Sequence, residues 1–269
     1  MPPQFIEPLF PSGYNEPQRD GKRVAYQRLG PVTTVVSNHT ACNRIGVTLL
    51  ELLVVIAMVG LLVAVLLPSV TGARQTASAA VCLTNLRQWS TAGILYAQNN
   101  DGFLPRRGQG EQATNLLNRS ADWFNALPPL IGQVKYQNMA ADGKVPRPGD
   151  RGIWMCPQAQ EIDNPQFFAY AMNMRLSTWQ AAQPDQIDRV APTDRQVFLA
   201  DAPGAYCSVL PTALAYSPAA RHRGRVNLAF LDGHASGFAG AYIGCGVGDP
   251  LRPDAQWRVP NSVWPGPNP

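Results

Sequence analysis

The chain is short of clustered charge. Lysine and arginine number 22 and aspartate and glutamate 18, a balance of +4 that is scattered rather than gathered. Without a basic stripe nothing marks a nucleic-acid-binding face, and no nucleic-acid partner is expected. There is no nucleophile elbow, no phosphate-binding glycine loop and no His-Glu-x-x-His. Enzymatic activity is therefore not expected. Cysteine is sparse, and Cys42, Cys82, Cys156, Cys207 and Cys245 include no Cys-x-x-Cys pair, which argues against a zinc site. Long apolar runs are also missing, with one exception. What is abundant is proline (25) and glycine (23), together close to a fifth of the 269 residues, so the folded part is rich in turns and loops.

The exception is Gly46 to Pro68, GVTLLELLVVIAMVGLLVAVLLP. Val47 to Leu67 is 21 residues, and only Thr48 and Glu51 in it are clearly polar. At about 1.5 Å of rise per residue, a helix of this length spans the roughly 30 Å hydrocarbon core of a bilayer. Glu51 is the odd residue, because a carboxylate in such a span costs about 2.5 kcal/mol or more and needs a partner. A secretory signal has an apolar core of roughly 7–15 residues and a small-x-small cleavage site. This run is longer, is interrupted by Glu51, and ends in a poor site at Pro68-Ser69-Val70. A plain signal anchor fits the length but leaves the spacing from Gly46 to Glu51 unexplained.

Gly46, an apolar Val47, Thr48, Leu49, Leu50 and Glu51 followed by the apolar run resemble the N-terminal signature of type IV pilins and type II secretion pseudopilins. The resemblance implies cleavage between Gly46 and Val47 by a prepilin peptidase that also N-methylates the new terminus. It makes Glu51 the fifth mature residue. Gly60 and Pro68 fall where the family often has a helix-loosening glycine and a proline, whereas the first mature residue, commonly Phe, is Val47 here. The resemblance also implies that a neighbouring subunit's Glu51 neutralises the Val47 α-amine and sets the stagger between packed helices. In low dielectric either charge left alone is costly. A glutamate snorkelling to the interface from the helix end is the plainer alternative.

The resulting organisation has five parts. Residues 1–46 form a polar, proline-bearing cytoplasmic leader that is removed, 47–67 a transmembrane helix and 68–99 its amphipathic continuation. Residues 100–240 form a globular antiparallel-sheet domain, and 241–269 a Gly/Pro-rich tail. Apolar residues from Ala73 to Tyr96 recur at three- and four-residue intervals and extend the helix, and Asn99-Asn100-Asp101-Gly102 stops it. Pro68 removes a backbone donor and marks a bend. Strands are expected at 152–156, 167–172 and 196–200, a helix within 113–131, and a hairpin over 225–238 with a two-residue turn at Asp232-Gly233. The fold class is α+β and pilin-like, one long helix on a small antiparallel sheet.

A second, narrower resemblance covers most of residues 46–238. Cys82-Leu-Thr-Asn-Leu-Arg-Gln, Cys156-Pro157, Tyr170-Ala-Met-Asn173 and His222 followed after nine residues by Asp232-Gly233 occur in that order. They resemble large pseudopilin-like proteins abundant in planctomycetes. His222 and Asp232 would lie at opposite ends of one strand, roughly 30 Å apart at about 3.3 Å per residue. They form no acid–base pair within one subunit. His222 is expected to orient the loop entering the strand, with His234 beside the turn. Asp101, with Asn99 and Asn100, offers oxygen ligands for calcium, which some secretion pseudopilins bind, but the spacing is not that of an EF-hand loop and the run reads better as a helix stop. No other cofactor is expected. Cys82 and Cys156 are either a disulfide stapling helix to sheet or two buried thiols; a bridge needs Cα atoms within about 7 Å.

Two functions remain. One is a structural subunit of a type IV pilus or a secretion pseudopilus, with prepilin peptidase, other pilin subunits, the inner-membrane assembly platform and lipid as partners. It would sit in the inner membrane by a single pass with its C-terminal domain in the periplasm, and in the filament after assembly. The other is a membrane-anchored extracytoplasmic binding module that enters no filament. The first reading predicts a mature chain that begins at Val47 with a methylated amine, which N-terminal mass spectrometry of membrane-extracted protein detects. An intact 1–46 segment, or a cut near Pro68, contradicts it.

Overall fold

The structure is a computed structural model that describes residues 46–108, 117–177, 185–190, 192–212, 214–246 and 252–257. The expected leader up to residue 45 and most of the expected tail lie outside the described residues. Two units divide the chain, Met1–Leu53 and Val54–Pro269.

In the first unit the described residues start a helix with a reciprocal capping box. The Glu51 backbone N–H donates to Thr48 Oγ1 at 3.2 Å, and the Thr48 N–H donates to Glu51 Oε2 at 2.9 Å. A threonine and a glutamate three residues apart satisfy two of the donors that every helix start leaves open. The helix α1 is Leu49–Gln98, 50 residues long. It continues through Pro68, whose missing N–H leaves the Ala64 carbonyl without its helical donor. Ser69 and Thr71 hydroxyls donate back to the Leu66 and Pro68 carbonyls at 2.8 and 2.9 Å. At the other end Asp101 and Gly102 are left-handed (φ 52° and 80°), and the Gly102 N–H donates to the Ala97 carbonyl at 2.9 Å. This ring satisfies a carbonyl the helix end would otherwise expose.

The two halves of α1 meet different surroundings. Every residue from Val47 to Leu67 is exposed, and this is the one helix among the described residues long and apolar enough to cross a membrane. Further on, Cys82, Leu86, Trp89, Ala92 and Ala97 are buried, on one face at three- to five-residue spacing.

That face packs on a five-stranded sheet in the order β3-β1-β2-β4-β5. The strands are β1 Phe168–Asn173, β2 Val197–Gly204, β3 Ser208–Val209, β4 Arg225–Phe230 and β5 Ala235–Ala239. All neighbours are antiparallel except β1 and β3, which are parallel. The fold is α+β, one long helix on a small, mostly antiparallel sheet. Side chains alternate along a strand, so β4 sends Val226, Leu228 and Phe230 to one core and Ala229 to the other. The core between helix and sheet is aromatic: Trp89, Trp123, Phe124, Tyr136, Trp154 and Phe168 meet with ring centroids 4.5–6.2 Å apart. The core on the far face contains Val197, Val226, Leu228, Phe230, Ile243 and Trp257.

Four expectations are corrected. Residues 152–156 are turns rather than a strand, because their carbonyls are taken by α1 side chains instead of a ladder. The described part of 113–131 is a four-residue helix, α2 Trp123–Ala126, and a 3₁₀ turn, Pro128–Ile131, since Pro128 and Pro129 deny the amides a longer helix needs. A further helix, α3 Tyr136–Ala141, had no expected counterpart. The tail is not loose throughout. It holds α4 Gly240–Ile243, and the Gln256 carbonyl accepts from the Val197 N–H at 2.9 Å while Ala255 and Trp257 are buried. The β4–β5 loop has three central residues. The Gly233 N–H donates to the Phe230 carbonyl at 3.1 Å and only Gly233 is left-handed (φ 98°), the form in which a glycine follows an ordinary turn.

Two predictions follow the packing. A Cβ on Gly93 overlaps the buried Phe198 ring, so Gly93→Val should cost about 2–3 kcal/mol, read as a lowered thermal midpoint of the detergent-extracted chain. Burial drives Asp122, which precedes α2, up to about 6, against the opposing Arg119 guanidinium 3.0 Å away. An unfolded aspartate titrates near about 3.9, so between these values the folded chain holds an extra proton. Stability from this group is complete below pH ~4 and is lost as pH rises through ~6, up to about 3 kcal/mol. Asp122→Asn should therefore gain on wild type at pH 7.5 relative to pH 4.

Candidate functional site

Two places gather the residues singled out from the sequence. The first is the start of α1. Gly46 is exposed, and a Cβ there would meet no atom within 4 Å. The same openness holds at Gly60. Glu51 is exposed and accepts from both the Thr48 N–H and the Thr48 hydroxyl, at 2.9 and 3.0 Å. Both bonds use Oε2, so capping engages one oxygen of the carboxylate.

The second place is buried under the helix and brings together Cys82, Cys156, Asp201 and His222. Cys82 stands on the sheet-facing stripe of α1. Cys156 is held by side chains of the same helix face. Asn85 Nδ2 donates to the Met155 and Gly152 carbonyls at 3.1 and 3.3 Å, and Trp89 Nε1 to the Ile153 carbonyl at 3.1 Å. Tyr170 on β1 tightens this anchor, its hydroxyl accepting from Asn85 Nδ2 at 3.1 Å and donating to the Met155 carbonyl at 3.3 Å. Asp201 lies on β2, one residue beyond the last registered pair with β4, Ala200–Leu228. Its Oδ2 takes the Asn227 backbone N–H at 2.9 Å in place of a ladder bond.

His222 enters through a tight turn. Arg223 and Gly224 are both left-handed (φ 53° and 75°), and His222 and Arg225 exchange backbone bonds at 3.1 and 3.0 Å. That is the two-residue turn with two positive φ values, found ahead of β4 rather than at Asp232-Gly233. It turns His222 inward, 4% exposed, instead of leaving it to orient a surface loop. Its Nε2 lies 3.4 Å from Cys156 Sγ and 3.4 Å from Asp201 Oδ2, and the four ligand atoms all lie within 4.8 Å of one another. No disulfide joins Cys82 and Cys156.

The electrostatics follow from contact and burial. Cys82 is pushed far up, because its thiol is hydrogen-bonded to Cys156 and buried, so it keeps its proton. Cys156 falls to about 5, stabilised first by that bond and then, against the cost of burial, by His222. Burial alone would depress His222, but the Asp201 and Cys156 side chains outweigh it and raise it to about 9.

This is not a nucleophilic triad. In a triad the nucleophile and the carboxylate sit on opposite imidazole nitrogens. Here both face Nε2, while His222 Nδ1 is buried with no partner. What the arrangement offers is a donor set of two sulfurs, one nitrogen and one oxygen, the one group among the described residues that could hold a metal ion.

The remaining residues lie elsewhere. Asp232 pairs with His234, Oδ1 to Nδ1 2.6 Å, at an exposed turn, so the carboxylate beside His222 is Asp201. Asn173 is buried, and its Nδ2 donates to the Val197 and Trp257 carbonyls at 2.9 and 3.2 Å, tying β1 to the C-terminal segment. Pro157 follows Cys156 at the edge of the cluster. Asp101 belongs to the helix stop, and among the described residues it joins no group of three or more His, Cys, Asp or Glu side chains. The missing Cys-x-x-Cys bears only on donors close in sequence, whereas these four side chains come from separate elements. Asp201 was missed altogether. A carboxylate inside the apolar strand Val197-Phe-Leu-Ala-Asp-Ala was the available signal, since a buried charge needs a partner.

Comparison with protein-family models, with curated proteins and with solved structures found no match. The fold and the site alone carry the functional reading: a pilin-like architecture whose helix is long and apolar enough to span a membrane.

Proposed function

We propose that this protein is a structural pilin or pseudopilin subunit, cut after Gly46 and assembled through the exposed half of α1. The supporting observation is that half itself. From Val47 to Leu67 every residue is exposed, including large apolar side chains at nearly every position. An apolar surface of this extent is stable only in lipid or against other apolar helices. Before assembly the segment spans the inner membrane with the sheet on the periplasmic side. During assembly it exchanges lipid for neighbouring subunits, guided by the platform that builds the filament. Prepilin peptidase is the processing partner.

Glu51 is the specificity element in this reading. Its capping bonds involve Oε2, and a neighbour's Val47 ammonium is the charge that would make its presence in an apolar surface tolerable. Helix capping and intersubunit pairing make different demands, which separates them by substitution. Glutamine also closes a capping box but carries no charge. Glu51→Gln should keep membrane insertion and cleavage and lose filament incorporation. Thr48→Val, which breaks the box and keeps the charge, should still incorporate. Fractionation of sheared filaments against membranes reads both. If Glu51→Gln assembles as wild type does, intersubunit pairing is wrong, and a membrane-anchored binding module becomes the better account.

A further inference from the structure

We propose that Cys82, Cys156, Asp201 and His222 form a structural zinc site that clamps α1 to the sheet. Each ligand comes from a different segment: the helix, the loop before Pro157, strand β2 and the turn leading into β4. The donor types are those zinc takes in closed sites, thiolate, imidazole and carboxylate. The spacing fits as well. Zinc holds sulfur at ~2.3 Å and nitrogen or oxygen at ~2.0–2.2 Å, so a tetrahedron of such ligands has edges of about 3.3–3.8 Å. Two of the six edges, Nε2 to Cys156 Sγ and Nε2 to Asp201 Oδ2, are 3.4 Å, and no two of the four ligand atoms are more than 4.8 Å apart.

Two further observations point to an ion at the centre of the group. One imidazole nitrogen faces a sulfur and a carboxylate oxygen at equal distance. A single N–H satisfies one of them, whereas a nitrogen lone pair aimed at a shared cation satisfies the geometry of both. The site also has buried polar capacity left over. Asp201 is fully buried with Oδ1 unpartnered. Around the ligands is the support that metal sites use to hold them in place. The Asn227 N–H fixes Asp201 Oδ2, and Asn85 and Tyr170 hold the Met155 carbonyl next to Cys156.

Four protein ligands, all buried, leave no position for water or substrate, so the ion's role is structural. Zinc binding releases the protons that Cys82 and His222 Nε2 hold in the metal-free site, and the two thiolates and the carboxylate then exceed the charge of Zn²⁺ by one. Arg221, beside His222 in sequence, supplies positive charge near Cys156. A cleft lined by Gln75, Thr76, Ala79, Leu83, His222 and Arg223 gives the ion an approach. The inference does not depend on filament assembly, since an anchored binding module would need the same clamp.

The test is metal analysis of the full chain, extracted in detergent and purified with reductant but without a chelator or a histidine tag. Close to one zinc per chain is expected, retained in Cys245→Ser and lost in Cys156→Ser and His222→Ala. Removing zinc should lower the thermal midpoint, and adding zinc back should restore it. Independently of the ligand variants, wild-type protein also carries a spectroscopic test. Stripped and reloaded with Co²⁺, it should show the visible bands of tetrahedral cobalt and a thiolate-to-cobalt charge-transfer band. Wild-type protein that holds no zinc and gives no such bands overturns the proposal. So does a Cys82–Cys156 disulfide found by thiol labelling of the freshly extracted chain, because oxidised sulfurs cannot ligate the ion.

Discussion

The globular unit depends on one face of α1 between Cys82 and Ala97. That face supplies the apolar stripe that closes the inner core, and it also supplies donors where the backbone needs them. Residues 152–156 lie in no strand, and a buried carbonyl without a donor costs about 1–3 kcal/mol. Asn85 and Trp89 remove that cost at the buried Met155 and Ile153 carbonyls, and Asn85 also reaches the Gly152 carbonyl. Ser90 does the same for the Phe230 carbonyl at the end of β4, and Gly93 lets the Phe198 ring approach the helix axis closely. A helix with ordinary leucines at these positions would bury as much surface and leave the loop unsatisfied.

The same face explains why a polar group persists in the middle of the core. Cys82 is one helical turn from Asn85 and Leu86, so the side chains that pin the loop also bring Cys156 to it. Asp201, still paired with Tyr170 on β1, and His222 then arrive from the sheet side, each placed by a local feature. For Asp201 it is the end of the β2–β4 ladder. For His222 it is a two-residue turn with positive φ at a non-glycine, Arg223. Irregular backbone at a cluster of reactive side chains is a common way for a scaffold to gather them. Part of the narrower family resemblance falls on this cluster, with Cys82, Cys156 and His222 in it and Tyr170 supporting it, whereas Asn173 and Asp232 lie elsewhere.

Much of the fold was legible in the residues. A run such as Val47–Leu67 has few physical solutions, and the three- and four-residue spacing from Ala73 to Tyr96 prescribes a helix with one buried side. Asn99-Asn100-Asp101-Gly102 stops it because Asp101 and Gly102 tolerate left-handed backbone. The hairpin over residues 225–238 was visible in strict alternation. Less was visible where a segment is shaped by what it touches. Gly152-Ile-Trp-Met-Cys looks like a strand by composition, but the helix's side chains take its hydrogen bonds. Trp257 lies in a stretch that reads as a loose tail, yet it fills the far core.

The sequence by itself determined the local facts: a helix of bilayer length, its capping box at Thr48 and Glu51, its stop, and strands whose alternation follows from a two-residue period. These depend on neighbours a few positions away, whose relation any backbone must respect. Only the tertiary structure decided which face of the sheet the helix covers. It also decided that the carboxylate beside His222 is Asp201 rather than Asp232, and that Cys82 and Cys156 meet as thiols in a four-ligand cluster. Those contacts join residues far apart in the chain. Their geometry is set by helix, turn and sheet packing together, and no spacing along the sequence encodes it.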